Sequence, residues 1–130
     1  MIVDTSALVA ILHGEHGWQE LLRRIDAAPS CRMSVANFLE AAIVVDSKRD
    51  PNASRELDRL CREAKMVLEP VDEIQARIAR EAYRDFGKGS GHRAKLNFGD
   101  CFAYALAKVR GEPLLYKGRD FSHTDVVSAI

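Results

Sequence analysis

The sequence predicts an α/β protein with a mostly parallel central sheet flanked by helices. Short apolar segments, which predict strands, alternate along the chain with segments of helical periodicity about 10 to 15 residues long. The chain has 130 residues, of which 47% are hydrophobic and 29% charged, a length and composition typical of a single core. No repeat, linker or low-complexity segment interrupts the alternation. We therefore expect one α/β domain over residues 1–130, with ligands bound at the carboxyl ends of the strands.

The first half of the chain predicts two strands and three helices. Residues 1–4 form a short buried strand, and the helical segment that follows ends at Gly14. A second helix, "WQELLRRIDAA", stops before Pro29, and residues 31–34 form the next strand. Ser34 is a suitable N-cap for the helix "VANFLEAAIVVDSKR", which ends at the turn "DPN".

The second half predicts three more helices and two or three strands. A charged helix, "ASRELDRLCREAKM", precedes the strand "VLEPV". The helix "DEIQARIAREAYRDF" begins at Asp72, which with Gln75 matches a capping box. An apolar helix around Asp100, the strand "PLLYK" and the tail "DVVSAI", a candidate edge strand, complete the chain. The apolar stripes of the two charged helices predict their buried faces: Leu57, Leu60, Cys61 and Ala64 on the first, and Ile74, Ile78, Ala82 and Phe86 on the second.

The composition argues against several classes of protein. No apolar run approaches the roughly 18 residues of a membrane span, and the start "MIVDTSA" lacks the charged segment of a secretory signal. We therefore expect a cytoplasmic protein without membrane association. The cysteines are odd in number and too widely spaced for a disulfide framework or a zinc knuckle. We expect Cys31, Cys61 and Cys101 to be small buried hydrophobes.

The charges balance overall but cluster locally. Nineteen Lys and Arg against nineteen Asp and Glu give no net field that would attract a polyanion. The glycine-rich segment "GKGSGHRAK", residues 87–95, concentrates basic side chains and contains no acid. Two interpretations are open, a solvated connection and a surface that contacts the phosphates of a nucleic acid. The candidate residues for such contacts are Lys88, His92, Arg93 and Lys95.

Three acids lie within otherwise apolar segments, namely Asp4, Glu40 and Asp100. Helix capping is an alternative role for Asp4, and for Asp100 opposite Asn97. Glu40 has apolar helical neighbours and no Lys or Arg within helical reach, and an unpaired buried carboxylate costs several kcal/mol. Asp120 follows the last strand as Asp4 follows the first, so both acids are expected at one crevice. Acids in such positions need partners from elsewhere in the fold or a cation.

A divalent metal would offset the mutual repulsion of these acids. Two charges about 4 Å apart repel by on the order of 4 kcal/mol at an effective dielectric of 20. Ligands that are all oxygen select a hard ion, Mg²⁺ or Mn²⁺. The chemistry predicted is phosphodiester hydrolysis, in which water attacks phosphorus in line and the 3′ oxygen leaves. A hydroxyl of Thr5 or Ser6 is a candidate for holding the phosphate or a water, and Asn97 for orienting the site, with capping as the alternative for each.

Four blocks of the sequence resemble the PIN-domain ribonucleases, specifically the VapC toxins of bacterial toxin-antitoxin pairs. The blocks are "IVDTSALVAIL", "SVANFLE", "NFGDCFAYALA" and "LLYKGRDFSHTDV", in the family's order and spacing. The resemblance implies a parallel sheet between helices and metal binding by Asp4, Glu40 and Asp100. It also implies Mg²⁺ or Mn²⁺, cleavage of RNA such as transfer or ribosomal RNA, homodimers, and a VapB-like antitoxin. Many relatives carry an acid or Asn where this chain has Lys117, so the fourth carboxylate is expected from Asp120 or else Asp125.

Three other functions are compatible with parts of the sequence. A metal-free ribonuclease would use histidines as acid and base, and the chain contains His13, His16, His92 and His123. A phospho-acceptor receiver domain shares the length and an acid after the first strand, but the second and third predicted strands supply no acceptor Asp. A non-enzymatic module would pair its acids with arginines of a partner. The helices over residues 16–28 and 53–66 are candidate surfaces for an antitoxin.

Overall fold

Four short strands form one parallel sheet in the computed structural model, which describes residues 1–130. The strands are β1 (Ile2–Val3), β2 (Arg32–Ser34), β3 (Val67–Glu69) and β4 (Leu114–Leu115). They stand in the order β3–β2–β1–β4 and all pair in parallel, which confirms the predicted sheet. The tail adds a single parallel bridge from Ser128 to Leu114 rather than an edge strand.

Six helices connect and cover the strands, and each lies where the periodicity of the sequence predicts one. None of them is both long and apolar enough to cross a membrane. The helices are α1 (Thr5–Leu12), α2 (Trp18–Ala27), α3 (Val35–Asp46), α4 (Pro51–Glu63), α5 (Glu73–Phe86) and α6 (Phe98–Arg110), with a short 3-10 helix at Phe121–His123.

The sheet separates two hydrophobic cores. Side chains of successive strand residues point to opposite faces. Val3 and Leu115 therefore pack with residues of α1 to α4 on one face, while Ile2 and Leu114 pack with α5 and α6 on the other. All four side chains are completely buried, as expected for a parallel sheet covered by helices on both faces.

The buried face of α5 begins one residue later than predicted. Ile74 is 64% exposed, so its assignment to the buried face is wrong, whereas Ala82 is buried and Ile78 and Phe86 pack against the core. Gln75 is buried in place of Ile74, and its side-chain amide donates to the Pro70 carbonyl over 3.0 Å. This hydrogen bond satisfies the NH₂ group of Gln75, whereas its side-chain oxygen is buried without a partner.

Two further details differ from the predictions. Ser34 occupies the N-cap position of α3, but its hydroxyl is buried and forms no hydrogen bond, so it does not cap the helix with its side chain. Cys31 and Cys101 are buried as predicted, whereas Cys61 is only partly buried; all three are free thiols.

The order of the strands creates a crevice beside β1. The chain moves from β1 to β2 and β3 on one side and returns to β4 on the other, so the strand order reverses between β1 and β4. The Asp4 amide donates to the Leu115 carbonyl over 2.9 Å at the carboxyl end of both strands. Parallel α/β sheets bind their ligands at such a reversal, which places Asp4 at the expected position of a site.

Candidate active site

Asp4 caps α1 with one oxygen and leaves the other without a partner. The carboxylate is 2% exposed. Its Oδ2 accepts from the Ser6 amide over 2.9 Å and from the Ser6 hydroxyl over 2.5 Å. Its Oδ1 is buried and has no hydrogen-bond partner. Burial is the main cause that raises the pKa of Asp4 to about 6, although the Ser6 hydrogen bonds act in the opposite direction.

Asp100 forms a capping box with Asn97 at the start of α6. The Asp100 Oδ2 accepts from the Asn97 amide, and the Asn97 Oδ1 accepts from the Asp100 amide, each over 2.9 Å. The pKa of Asp100 is raised to about 7, chiefly by burial and further by the negative charges of Asp4, Asp120 and Glu40. The carboxylates of Asp4, Glu40 and Asp120 therefore lie within electrostatic range of Asp100.

Glu40 connects the first turns of α1 and α6. Its Oε1 accepts a hydrogen bond from the Thr5 hydroxyl and lies 3.4 Å from the Asn37 amide nitrogen. Its Oε2 lies against the backbone of Gly99, the residue before Asp100. The carboxylate is thus held between Thr5, which follows Asp4, and Gly99.

No cation of the chain neutralises these acids. None of Asp4, Glu40, Asp100 and Asp120 takes part in an ion pair. By contrast, Glu69 pairs with two arginines, at 2.8 and 2.7 Å. The N-termini of α1 and α6 favour negative charge but offset it only partly. The acids at the crevice are therefore an uncompensated cluster.

The two candidates for a fourth acid have different surroundings. Asp125 accepts from the Tyr104 hydroxyl over 2.6 Å and from the Lys108 ammonium over 2.9 Å. These hydrogen bonds hold the pKa of Asp125 below its usual value. Asp120 instead contributes to the electrostatic field at Asp100. Asp125 is thus occupied by partners within the chain, which leaves Asp120 as the candidate for the fourth acid.

Substitutions of Asp120 and Asp125 should therefore affect different properties of the protein. We expect Asp120→Asn to lower the rate of phosphodiester cleavage by at least about tenfold, because it removes a negative charge that would help to hold a cation beside Asp100. Asp125→Asn should leave the rate within about twofold and lower the melting temperature instead, because it breaks hydrogen bonds to Tyr104 and Lys108. Initial rates and thermal melts of the two variants check this. The reverse pattern would assign the fourth carboxylate to Asp125.

Ser6 and Lys117 form a link that the sequence did not reveal. The Ser6 hydroxyl donates to Asp4 and accepts from the Lys117 amide over 3.0 Å, so the loop after β4 contacts the first acid indirectly. The Lys117 ammonium donates to the His16 carbonyl and is turned toward the connection between α1 and α2. The positive charge of Lys117 is therefore directed at this connection and not at the carboxylates of the crevice.

The basic loop before α6 is ordered by hydrogen bonds. Its ends are joined by a bridge from Gly87 to Leu96. The His92 ring packs edge-on against Phe86, with centroids 5.0 Å apart, and its Nδ1 accepts from the Ala94 amide over 3.1 Å. The remaining candidate RNA-binding side chains are exposed and unpaired; they are Lys88, Arg93 and Lys95.

The carboxylates at the crevice suit a hard divalent ion by the chemistry of their donors. All candidate ligands are oxygens, the buried Oδ1 of Asp4 lacks a partner, and the neighbouring charges are uncompensated. No three His, Cys, Asp or Glu side chains stand at ligand spacing around one point. At least one of these carboxylates must therefore move for three of them to hold one ion.

Comparison with known proteins identifies the family. The PIN-domain model matches residues 1–127, so the chain belongs to the PIN-domain family. Within that family it belongs with the VapC ribonucleases. It is 57% identical to Ribonuclease VapC28 of Mycobacterium tuberculosis over 130 residues, covering all of this chain and 98% of the relative. It is 51% identical to Ribonuclease VapC of Mycolicibacterium smegmatis over 128 residues, covering 98% of each chain.

Solved structures share the fold at low sequence identity. Mycobacterium tuberculosis VapC20, a toxin that cleaves the sarcin-ricin loop, superposes with a TM-score of 0.74 at 18% identity, covering 97% of this chain and 95% of VapC20. A toxin-antitoxin complex from Klebsiella pneumoniae gives a TM-score of 0.72 at 16% identity, covering 99% of this chain and 97% of its counterpart. These similarities confirm the PIN-like α/β fold.

Proposed function

We propose that the protein is an endoribonuclease toxin of a toxin-antitoxin pair and that it hydrolyses RNA with Mg²⁺ or Mn²⁺. The observation that carries this proposal is the uncompensated acid cluster, in which Asp4 is buried with one oxygen unpaired and Glu40, Asp100 and Asp120 lie close by. A buried charge with no partner is costly, so we interpret the unpaired carboxylate as a ligand for a cation. The names of the relatives support ribonuclease activity.

The capping hydrogen bonds prepare the site for this ion. Asp4 and Asp100 each use Oδ2 to cap a helix, which fixes the carboxylate and leaves Oδ1 as the oxygen available to a ligand. Asp4, Glu40 and Asp100 would hold the metal, and Asp120 would support it. A bound divalent ion neutralises charge on the scissile phosphate and acidifies the attacking water. The Thr5 hydroxyl orients Glu40, and Ser6 holds Asp4 in place.

The proposed function is tested by mapping the ends of RNA that the purified protein cuts. We expect cleavage in Mg²⁺ or Mn²⁺ to leave 5′-phosphate and 3′-hydroxyl ends and to stop in the presence of a chelator. Asp100→Ala protein, purified in parallel, controls for contaminating nucleases and should not cleave. Products with cyclic phosphates, or cleavage that persists with chelator, would instead support a metal-free mechanism based on histidine.

The basic loop supplies the contacts to the RNA backbone in this proposal. Lys88, Arg93 and Lys95 are exposed and unpaired, and the loop leads directly into the Asn97 cap of the Asp100 helix. Changing all three to Ala should weaken RNA binding by about 10- to 100-fold at low salt. The slope of log affinity against log salt should also fall by roughly 0.7 for each phosphate that the loop no longer neutralises.

Affinity measurements over a range of salt concentrations in chelator separate binding from cleavage. The matched control, Lys48→Ala/Arg49→Ala/Lys65→Ala, removes the same charge from exposed positions on either side of α4. Equal decreases in affinity for the two triple variants would show that only net charge matters and would count against the loop.

An exposed apolar surface on α3 and α6 supports the proposed homodimer. Val35, Leu39 and Ile43 repeat at every fourth position of α3 and are exposed. Phe98 of α6 is 78% exposed, and α3 and α6 are joined at the neighbouring Gly99 by the Asn37 amide. Large contiguous apolar surfaces on soluble proteins commonly mark interfaces with other chains.

Introducing charge into this surface should therefore separate the protomers. We expect Leu39→Glu/Ile43→Glu to be a monomer at concentrations where the unmodified protein is a dimer, because a buried unpaired charge disfavours association. The control Val127→Glu changes an exposed apolar residue of the tail and should remain dimeric. Light scattering after size-exclusion chromatography measures the masses. Dimers of both variants would place the interface elsewhere.

The proposed partner is a VapB-like antitoxin acting on this RNA-cleaving protein in the cytoplasm. The similarity to a toxin-antitoxin complex supports such a partner. A groove between α1, α2 and α4 lies on the surface predicted from residues 16–28 and 53–66. Its apolar lining is suited to an amphipathic helix and consists of Ile11, Leu12, Trp18, Leu22 and Leu60. A basic antitoxin side chain inserted among the acids would neutralise them in place of the metal.

A further inference from the structure

Gly99 has no backbone reason to be a glycine. It lies in the first turn of α6 with helical conformation, and it is not among the glycines with positive φ. Glycine in a helix is less favourable than alanine by about 1 kcal/mol. A methyl group at this position would overlap the Glu40 Oε2 and lie only 2.7 Å from both the carboxyl carbon and Oε1. The Glu40 carboxylate thus occupies the space that a side chain at position 99 would fill.

Asn37 joins the same two elements from the other side. Its side chain is completely buried, and its amide nitrogen donates to the Gly99 carbonyl over 2.9 Å. The same nitrogen lies 3.4 Å from the Glu40 Oε1. Both neighbours are acceptors, so only the NH₂ end of the carboxamide suits this position. The backbone carbonyl of Asn37 also accepts from the Thr5 hydroxyl over 3.1 Å, which ties α1 to the same point.

We propose that Gly99 and Asn37 are positioning residues that set the separation between the Glu40 and Asp100 carboxylates. Gly99 admits Glu40 to the first turn of α6, and Asn37 fixes that turn against α3. Asp100 follows Gly99 directly, so any displacement of this turn moves one acid relative to the other. The proposal rests on the proposed metal-dependent function, because the separation matters for two carboxylates that share an ion.

The contact between Gly99 and Glu40 is tested by stability alone, without reference to activity. In metal-free protein, Gly99→Ala should lower the melting temperature, because the methyl group displaces the Glu40 carboxylate from its hydrogen bond with Thr5. In a Glu40→Ala background the same substitution should raise the melting temperature, because the overlap is gone and alanine favours the helix. An equal decrease in melting temperature in both backgrounds would contradict the contact. The contact would also be contradicted if Glu40→Ala did not restore the stability of the Gly99→Ala protein.

Metal dependence tests the positioning role itself. Gly99→Ala and Asn37→Leu should raise the Mn²⁺ concentration at half-maximal cleavage by about 10- to 100-fold, the usual effect of removing a residue that orients a metal ligand. RNA affinity in chelator should stay within about twofold. Glu40→Asp, which shortens the side chain, should partly rescue Gly99→Ala and bring its half-maximal Mn²⁺ back toward that of Glu40→Asp alone.

The outcomes separate this proposal from the proposed function. Suppose that the unmodified protein cleaves RNA in a Mn²⁺-dependent manner and that both positioning variants need the same Mn²⁺ concentration as the unmodified protein for half-maximal cleavage. The positioning role is then wrong, while the proposed function stands. If the effects of Gly99→Ala and Glu40→Asp simply add, the two residues act independently and the proposal fails. Absence of Mn²⁺-dependent cleavage by the unmodified protein would contradict the proposed function itself.

Discussion

Asp4→Asn should abolish RNA cleavage and stabilise the metal-free protein. The substitution keeps a hydrogen-bond acceptor for Ser6 but removes the buried charge whose Oδ1 has no partner in the chain. We expect the cleavage rate to fall by at least about 10²- to 10³-fold, comparable to the loss of a main electrostatic stabiliser. The free energy of unfolding at pH 7.5 should rise by on the order of 2 kcal/mol, because the raised pKa of Asp4, about 6, reports the cost of its charge.

Cleavage assays and denaturant unfolding of one preparation measure both effects. Asp58→Asn is the matched control, since Asp58 is exposed on α4 and its loss changes net charge equally. It should leave both properties unchanged. A variant at Asp4 that cleaves normally would contradict a catalytic role, and one that unfolds more readily would show that the Asp4 carboxylate stabilises the fold.

Mild acid should stabilise the metal-free protein. The pKa values of Asp4 and Asp100 are about 6 and about 7 in the folded state, against a normal value of 3.8. As pH falls from 8 to 5, the folded state therefore binds protons that the unfolded state does not, and the free energy of unfolding increases. Asp4 alone contributes about 1 kcal/mol by pH 5, and Asp100 acts in the same direction, so the melting temperature should rise by several degrees.

The pH range avoids the titration of the salt-bridged acids. Salt-bridged acids such as Glu69 and Glu112 have lowered pKa values, and the stability they contribute is lost only as pH falls below their normal values near 4.5. Thermal melts in chelator from pH 8 to pH 5 measure the effect. In Asp4→Asn/Asp100→Asn the rise should largely disappear. An equal rise of the melting temperature in that double variant would show that other groups cause the rise.

Mn²⁺ should reverse the pH trend. It favours ionised carboxylates, so it should raise the melting temperature strongly at pH 7.5 and little at pH 5, where protons compete for the same oxygens.

Most of the fold follows from local patterns in the sequence. The alternation of short apolar strands with amphipathic helices is visible without coordinates, and it predicts the parallel sheet that the structure shows. Burial is less predictable where a polar side chain finds a specific partner. Gln75 is buried because the Pro70 carbonyl accepts its amide, and Ile74 is correspondingly exposed. Similarly, the apolar residues Leu39 and Ile43 of α3 are exposed, because periodicity does not show which apolar face meets the sheet.

The site is only partly readable from the sequence. Acids in apolar segments stand out, and in the structure Asp4, Glu40 and Asp120 lie within electrostatic range of Asp100. Their orientations depend on contacts between distant segments, such as the Thr5 hydroxyl on Glu40. The sequence pattern does not single out Gly99 or Asn37, because Gly99 has no side chain and Asn37 resembles an ordinary polar residue of a helix. A glycine within an apolar helix, beside an acid, was the available signal.

The most direct measurement is the anomalous scattering of Mn²⁺ in crystals of the unmodified protein. Convergence of the carboxylates on one ion predicts a peak at the crevice between β1 and β4, within about 2.0 to 2.4 Å of oxygens of Asp4, Glu40 and Asp100. A well-diffracting crystal saturated with Mn²⁺ that shows no peak there, or a peak bound only by other residues, would contradict a metal role for these acids.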